Sequence, residues 1–188
     1  MKVAVLDYGM GNLRSVERAL ETAGADVAVT QEWSVIERSD ALCIPGQGIL
    51  DRCIANLGRM GFEDKVSGWI SSGRPYLGIC LGLQLLFESS EEAGGTRGLG
   101  LLGGRVTRLP DTVTVPHIGW NTVDEEYFYF DHSYAVQPSD PGIVSGWCTH
   151  GERFAARIDT GSITAVQFHP EKSGTAGIGL LRKWVASI

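Results

Sequence analysis

The chain has 188 residues, of which 43% are hydrophobic and 20% charged, and its net charge is −6. A length and composition of this kind predict one globular domain, residues 1–188, with a core that needs neither metals nor disulfides. The acidic balance and the lack of any basic run argue against nucleic acid and anionic membranes as partners. No apolar run is long enough to span a bilayer and the first residues do not resemble a signal peptide, so we expect a cytoplasmic location.

The cysteines and histidines show no spacing typical of a disulfide framework or a metal site. The cysteines are at positions 43, 53, 80 and 148. The histidines are at positions 117, 132, 150 and 169. Free thiols in a reduced compartment are the simpler interpretation, and we expect neither a metal nor a cofactor.

The first half of the chain alternates apolar runs with amphipathic segments. Strands are predicted at 3–6, 27–29 and 41–44, and Asn12 is placed to cap a helix that starts at Leu13 and ends at Gly24. Helices are predicted at 49–57 and 62–72, then a strand at 76–80 and an almost wholly apolar helix at 81–88. This order of strands and helices predicts a central, mostly parallel sheet flanked by helices.

The second half is rich in short strand-like segments. A glycine-rich loop covers 94–100, and a closing helix is predicted at 174–185. Between them, strands are predicted at 105–109, 113–115, 127–130, 143–145, 154–158 and 163–168. We expect these strands to be antiparallel and to pack on the parallel half.

Cys80 lies at the junction between the predicted strand at 76–80 and the helix behind it. Gly78 and Gly82 flank it at the spacing of a nucleophile elbow, a tight turn that tolerates little side-chain bulk. N–H groups at a helix start favour a thiolate there. Cys80 is therefore a candidate nucleophile, and a buried structural cysteine is the alternative.

His169 and Glu171 end another apolar strand and are two residues apart, with Pro170 between them. In an extended backbone such residues point to the same side. A thiol nucleophile needs a base that later acts as an acid, which His169 can supply, and Glu171 can orient the imidazole ring. Alternatively, His169 bonds to the backbone and Glu171 is a solvated carboxylate.

The turn that follows the predicted strand at 41–44 contains Gly46 and Gly48. Such a turn lets backbone N–H groups face a ligand, and a second oxyanion donor would come from a loop beside the elbow, the first being the N–H of Leu81. An ordinary glycine turn is the alternative interpretation.

The elbow and the triplet 169–171 resemble the class I, triad-type glutamine amidotransferases. Within that class, nearly the whole chain is similar to the glutaminase subunits of imidazole glycerol phosphate synthases. The segments that carry the resemblance are 7–12, 44–48, 116–121, 132–134 and 168–173.

The resemblance implies an α/β, flavodoxin-like fold and hydrolysis of L-glutamine by Cys80, His169 and Glu171. It places the second oxyanion donor at Gln47 or Gly48, where the family usually carries a small apolar residue in place of Gln47. It also implies contacts to the amino-acid end of glutamine, from Gln84, Glu92, Ser133 and Tyr134.

The resemblance further implies that a (β/α)₈-barrel cyclase subunit receives the ammonia in a heterodimer, which serves histidine biosynthesis. The chain itself has no basic cluster or phosphate loop for a second, phosphorylated substrate. The implied docking residues are Asn12, Trp120, Tyr129 and Lys172. For Trp120, plain core packing is the alternative.

Two features depart from the family pattern. The connection at 121–127 is short, and Asp131 stands where the family has an apolar residue. An inward-facing Asp131 would raise the pKa of His169, whereas we expect it to face solvent. A glutaminase that serves another acceptor, such as a sugar amidotransferase or the pyridoxal phosphate synthase, remains an alternative function, as does a non-catalytic binding subunit on the same fold.

Overall fold

The computed structural model describes residues 1–188. The first half contains β1 (Lys2–Leu6), α1 (Leu13–Thr22), β2 (Asp26–Thr30), α2 (Trp33–Glu37), β3 (Ala41–Gly46), α3 (Leu50–Met60), α4 (Glu63–Ser71), β4 (Tyr76–Cys80) and α5 (Leu81–Gln84). The second half contains β5 (Phe87–Ser90), β6 (Thr96–Arg97), β7 (Leu102–Arg108), β8 (His117–Val123), β9 (Glu126–His132), β10 (Tyr134–Pro138), β11 (Val144–His150), β12 (Glu152–Thr160), β13 (Ile163–Val166) and α6 (Gly174–Ser187). None of the helices combines the length and the apolar character needed to cross a membrane.

Eleven strands form one sheet in the order β2-β1-β3-β4-β13-β12-β10-β7-β5-β6, with β11 paired to β12. The strands from β2 to β13 in this order are parallel, which confirms the predicted parallel half. The antiparallel strands do not pack on that half as a second layer. They extend it, because β12 pairs with the edge of β13 that would otherwise leave backbone groups unpaired. Only the β8–β9 hairpin forms a separate sheet.

Both faces of the parallel half are buried. Val3 and Val5 of β1 belong to one apolar cluster, and Ala4 and Leu6 belong to the other. Helices α1 and α6 and the β8–β9 hairpin contribute to the first cluster, and α3, α4 and α5 contribute to the second. Alternate residues of a strand point to opposite faces, so a strand covered on both sides is apolar throughout.

The helix behind the elbow is shorter than predicted. It ends at Gln84, and Phe87–Ser90 is a strand, so the predicted helix at 81–88 is wrong in its second half. The backbone N–H groups of Leu99 and Gly100 donate to the carbonyls of Leu85 and Phe87, so the chain after α5 pairs with this distant segment.

The strand predicted at 113–115 is also wrong. Val113 and Val115 form bends, a cis peptide bond joins Val115 to Pro116, and β8 begins only at His117. Pro116 has no N–H group to offer a strand ladder. The sequence analysis also missed β8, β10 and the short helix α2.

The short connection at 121–127 is a tight hairpin turn. Val123 pairs directly with Glu126, which leaves only Asp124 and Glu125 in the loop. Asp124 has a positive φ of 55°, as two-residue hairpin turns often require. This turn fixes the register that brings Trp120 opposite Tyr129.

Candidate active site

Cys80 is the last residue of β4 and has a strained backbone, with φ of 54° and ψ of −100°. A Cβ atom on Gly82 would overlap the carbonyl oxygen of Ile44, and one on Gly78 would overlap the carbonyl oxygen of Gly82. Both glycines are therefore required by close backbone approach. A strained non-glycine residue at a strand-to-helix turn is the geometry of a nucleophile elbow.

His169 and Glu171 form a buried pair beside this elbow. Nδ1 of His169 lies 2.8 Å from Oε1 of Glu171, and each side chain is only 3% exposed. The backbone N–H of His169 donates to the carbonyl of Tyr129, and its own carbonyl accepts from the Ser173 hydroxyl. The imidazole is thus fixed in position, with a buried Nε2 that has no hydrogen-bond partner at bonding distance.

Cys80 and His169 interact although they are far apart in sequence. Burial by itself lowers the pKa of His169, but the nearby Cys80 and Glu171 side chains outweigh burial and raise the pKa to about 10. An imidazole with such a pKa carries a proton at neutral pH. The structure therefore brings together the three residues that the sequence predicted as a triad.

A cavity of about 330 Å³ opens beside Cys80. All the residues predicted to form the oxyanion hole or to bind the substrate line this cavity. Its lining consists of Gln47, Gly48, Cys80, Leu81, Gln84, Glu92, Pro116, Asp131, His132, Ser133 and Tyr134. The volume suits a small polar molecule of amino-acid size.

Glu92 lies where this cavity meets the start of α3. Its Oε2 accepts a hydrogen bond of 2.7 Å from the backbone N–H of Leu50, the first residue of that helix. Burial raises the pKa of Glu92. The carboxylate can balance the charge of a cationic ligand group in the cavity.

Gln167 is a site residue that the sequence analysis missed. It is fully buried, and its Nε2 lies 3.5 Å from the Cys80 sulfur. Its Oε1 accepts from Nε2 of Gln84 at 3.1 Å. One signal could have revealed it, since residue 167 precedes His169 by two and so faces the same side of an extended segment.

Asp131 lines the cavity near the end of β9 and keeps 26% of its side chain exposed, so the expectation that it faces solvent is only partly met. Its Oδ2 accepts a 2.6 Å hydrogen bond from Nε2 of Gln47 and lies 3.7 Å from Nζ of Lys172. Gln47 and Lys172 are thus the partners of this carboxylate. Asp131 is not among the groups that raise the pKa of His169.

The predicted docking residues Trp120, Tyr129 and Lys172 are neighbours on the surface. Trp120 is 56% exposed, which excludes core packing, and its ring centroid lies 6.0 Å from that of Tyr129. Nζ of Lys172 lies 5.5 Å from the Tyr129 ring. Asn12 is exposed and caps α1, accepting from the N–H of Ser15 at 3.4 Å.

Three histidines that look scattered in the sequence meet beside the cavity. The rings of His117 and His150 stack at 4.0 Å between centroids, and Nδ1 of His117 lies 2.9 Å from Nε2 of His132. No group of His, Cys, Asp or Glu side chains in the structure is arranged to hold a metal ion.

Solved structures share this fold. A crystal structure titled as a glutamine amidotransferase matches with a TM-score of 0.77 and 20% identity, over 99% of both chains. PurLQS from Thermotoga maritima matches with a TM-score of 0.70 and 16% identity, over 100% of this chain and 96% of that one. The fold is therefore the α/β fold of the glutamine amidotransferases.

Sequence comparisons define the family. The model for class I glutamine amidotransferases matches residues 4–187. A protein named imidazole glycerol phosphate synthase subunit HisH from Rhodopirellula baltica is 41% identical, over 98% of this chain and 97% of its own length. The protein of the same name from Methanothermobacter thermautotrophicus is 43% identical, over 99% and 98%. The chain belongs to the class I glutamine amidotransferases, and within them it groups with the HisH subunits.

Proposed function

We propose that this chain hydrolyses L-glutamine to glutamate and ammonia, as the glutaminase subunit of an imidazole glycerol phosphate synthase in histidine biosynthesis. The Cys80 sulfur attacks the side-chain amide carbon, and the resulting tetrahedral oxyanion collapses as the C–N bond breaks. His169 gives its proton to the departing nitrogen, which leaves as ammonia. Water then attacks the thioester, with His169 as base, and releases glutamate.

In this mechanism, the charged side chain of His169 is the main cause of the activation of the Cys80 thiol. Helix α5 has only four residues, so its dipole is small. His169 is buried, paired with Glu171 and held as an imidazolium, and a cationic partner of this kind activates a nucleophilic thiol. Glu171 orients the ring as the third member of the triad.

The oxyanion would be stabilised by the backbone N–H of Leu81 and by an N–H of the Gln47–Gly48 segment. Both segments line the cavity beside Cys80, which supports the assignment. One such donor contributes about 3 kcal/mol of transition-state stabilisation.

The amino-acid end of glutamine would lie near Gln84, Glu92, Ser133 and Tyr134. These residues share the cavity with Cys80. Glu92 is suited to the α-ammonium group because it is the anionic member of this set. Both N–H bonds of the Gln84 amide are already committed, to Tyr134 and Gln167, so its Oε1 is the atom left for a ligand.

The ammonia acceptor would be bound by a (β/α)₈-barrel cyclase subunit in a heterodimer. The exposed pair of Trp120 and Tyr129, with Lys172 beside it, supplies an aromatic anchor for docking. Lys172 follows Glu171 directly and also lies near Asp131. A partner that engages Lys172 therefore acts within one residue of the triad.

We also propose that residues 1–188 form one glutaminase domain, since the family match spans 4–187. A cytoplasmic location is consistent with four cysteines that are all free.

The observation that carries the proposal is the buried pair of His169 and Glu171, 2.8 Å apart, beside the strained elbow at Cys80. Glutaminase rates measured with and without a co-expressed barrel cyclase test it, with Cys80→Ala as the inactive control. We expect low activity for the isolated chain and copurification with the cyclase, accompanied by activation. Absence of glutamate release from the complex would rule out catalysis, and full activity of the isolated chain would rule out partner-dependent activation.

A further inference from the structure

Gln167 lies directly after β13 and lends its side chain to the elbow. The amide is fully buried, and Cys80 is only 4% exposed. Nε2 of Gln167 is 3.5 Å from Sγ of Cys80, within the range of an N–H···S hydrogen bond. It is the one side-chain hydrogen bond to this sulfur, because Nε2 of His169 has no partner at hydrogen-bond distance.

The orientation of the Gln167 amide is fixed by its neighbour. Nε2 of Gln84 lies 2.9 Å from the backbone oxygen of Tyr134, which can only accept a hydrogen bond. The second N–H of the same nitrogen therefore points at Oε1 of Gln167, 3.1 Å away. With its oxygen engaged in this way, Gln167 must present N–H to the sulfur.

The Tyr134 carbonyl is itself held by a directed chain of hydrogen bonds. It also accepts from Nδ1 of His132 at 2.9 Å, which leaves Nε2 of His132 to accept from Nδ1 of His117. Nε2 of His117 then accepts from the Asn121 amide, which also donates to the Thr149 carbonyl at 3.1 Å. The Tyr134 carbonyl thus fixes the tautomers of His132 and His117.

We infer that Gln167 is a positioning residue that donates a hydrogen bond to the Cys80 thiolate, and that Gln84 holds its amide in the donating orientation. This inference rests on the nucleophilic role of Cys80 proposed above. A donor in a buried site stabilises the charged form of the sulfur, and a flipped amide would instead set its oxygen against that charge. Gln84 therefore acts on the reaction through Gln167 as well as lining the cavity.

The rate of Cys80 alkylation by iodoacetamide, followed against pH by mass spectrometry of the intact chain, tests the inference. Gln167→Leu and Gln167→Met remove the donor. Each is expected to raise the apparent pKa of alkylation by about one unit and to lower kcat about tenfold, with little change in KM. His169 and Tyr8 are the titratable side chains that interact electrostatically with Cys80, and both are unchanged in every variant, so the shift reports on position 167.

Gln84→Leu tests the second half of the inference. It frees the Gln167 amide to turn, so we expect a smaller shift in the same direction. The double variant Gln84→Leu/Gln167→Leu should behave like Gln167→Leu alone, because Gln84 has no effect once its partner lacks an amide. Gln137→Leu is the matched control, since the Gln137 amide bonds only to the Arg153 carbonyl, away from the elbow.

Alkylation profiles of Gln167→Leu and Gln167→Met that superimpose on the wild-type profile overturn the inference. If neither of these variants folds, an unchanged profile in Gln84→Leu overturns it. Failure of the proposed function is a different result, in which the wild-type complex releases no glutamate. A wild-type complex that is active, together with unshifted variants, rejects only the role of Gln167.

Discussion

Nε2 of Gln47 and Oδ2 of Asp131 are 2.6 Å apart, and their hydrogen bond joins two walls of the cavity beside Cys80. One residue comes from the turn after β3 and the other from β9. Both positions depart from the family pattern in the sequence, and the structure shows that the two departures contact each other. The same carboxylate oxygen lies 3.7 Å from Nζ of Lys172 in the proposed docking surface.

We expect Asp131→Ala to raise kcat/KM for glutamine in the isolated chain about three- to tenfold. The substitution removes a hydrogen bond to a charged group that restrains the Gln47 segment, where the second oxyanion donor is placed. Steady-state glutamate release measures the effect. Asp111→Ala is the control, because Asp111 pairs only with Arg108 in an exposed contact. A reduced or unchanged kcat/KM in Asp131→Ala would contradict this restraint.

Glu171→Gln is expected to lower kcat about 10- to 100-fold while the chain stays folded. The substitution keeps the size of the side chain but removes the negative charge paired with Nδ1 of His169. That charge is one of the causes of the raised pKa of His169. Stopped-assay glutamate release and thermal unfolding, measured together, separate lost activity from lost stability. A kcat equal to that of the wild type in this variant would exclude Glu171 as the third member of a catalytic triad.

Gly82→Ala is expected to destabilise the protein by about 3 kcal/mol or more and to abolish activity. Its Cβ would collide with the Ile44 carbonyl, which belongs to a rigid central strand. Gly179→Ala in α6 is the matched control, because its Cβ meets nothing within 4 Å. We expect that change to stabilise the chain by about 0.5–1 kcal/mol. Urea unfolding of both variants is the measurement, and equal stabilities would contradict the packing at the elbow.

The histidine cluster predicts loss of stability in mild acid. Burial is the main cause that lowers the pKa of His117 to about 4 and that of His132 to about 3. Below pH about 6.5, His117 and His132 are protonated in the unfolded chain but stay neutral in the folded chain. The free energy of unfolding therefore falls as pH drops from about 6.5 toward 4. Each such proton contributes about 1.4 kcal/mol per pH unit.

Urea unfolding between pH 4.5 and 7 measures this slope. His117→Gln should flatten it by about one proton, although the variant is less stable at pH 7. A slope equal to that of the wild type would show that His117 is protonated in the folded state.

Trp120→Ala is expected to weaken binding to the cyclase subunit about 30-fold, or about 2 kcal/mol, with little effect on the stability of the free chain. The reason is that Trp120 is 56% exposed and packs edge to face on Tyr129. Calorimetric titration gives the affinity. Tyr127→Ala, at the turn end of the same hairpin and 62% exposed, is the control and should leave affinity unchanged. If both variants lost the same affinity for the cyclase subunit, Trp120 would not be the anchor of the docking surface.

Local patterns predicted most of the parallel half correctly. The apolar run of β1, the Asn12 cap of α1 and the strand that delivers Cys80 all depend on neighbours in sequence. The prediction was wrong where distant contacts decide local structure. The chain after Cys80 leaves the helix at Gln84 and then pairs with the segment near Leu99, and no pattern within 81–88 shows this pairing.

The sequence by itself predicted Cys80, His169 and Glu171 as a triad, from the glycines at 78 and 82 and from the spacing of residues 169 and 171. The strand ends at Val166, so His169 and Glu171 meet through a 3₁₀ turn at Pro170–Lys172 and not through alternation along a strand, as predicted. The sequence also determined the sandwiched parallel sheet, since strands covered on both faces must be apolar throughout. Only the tertiary structure decided that three separate histidines meet, that Gln47 binds Asp131 and that Gln167 faces the Cys80 sulfur. These contacts join residues on or directly after different strands, and the pairing of strands across a sheet fixes such distances whereas spacing along the chain does not.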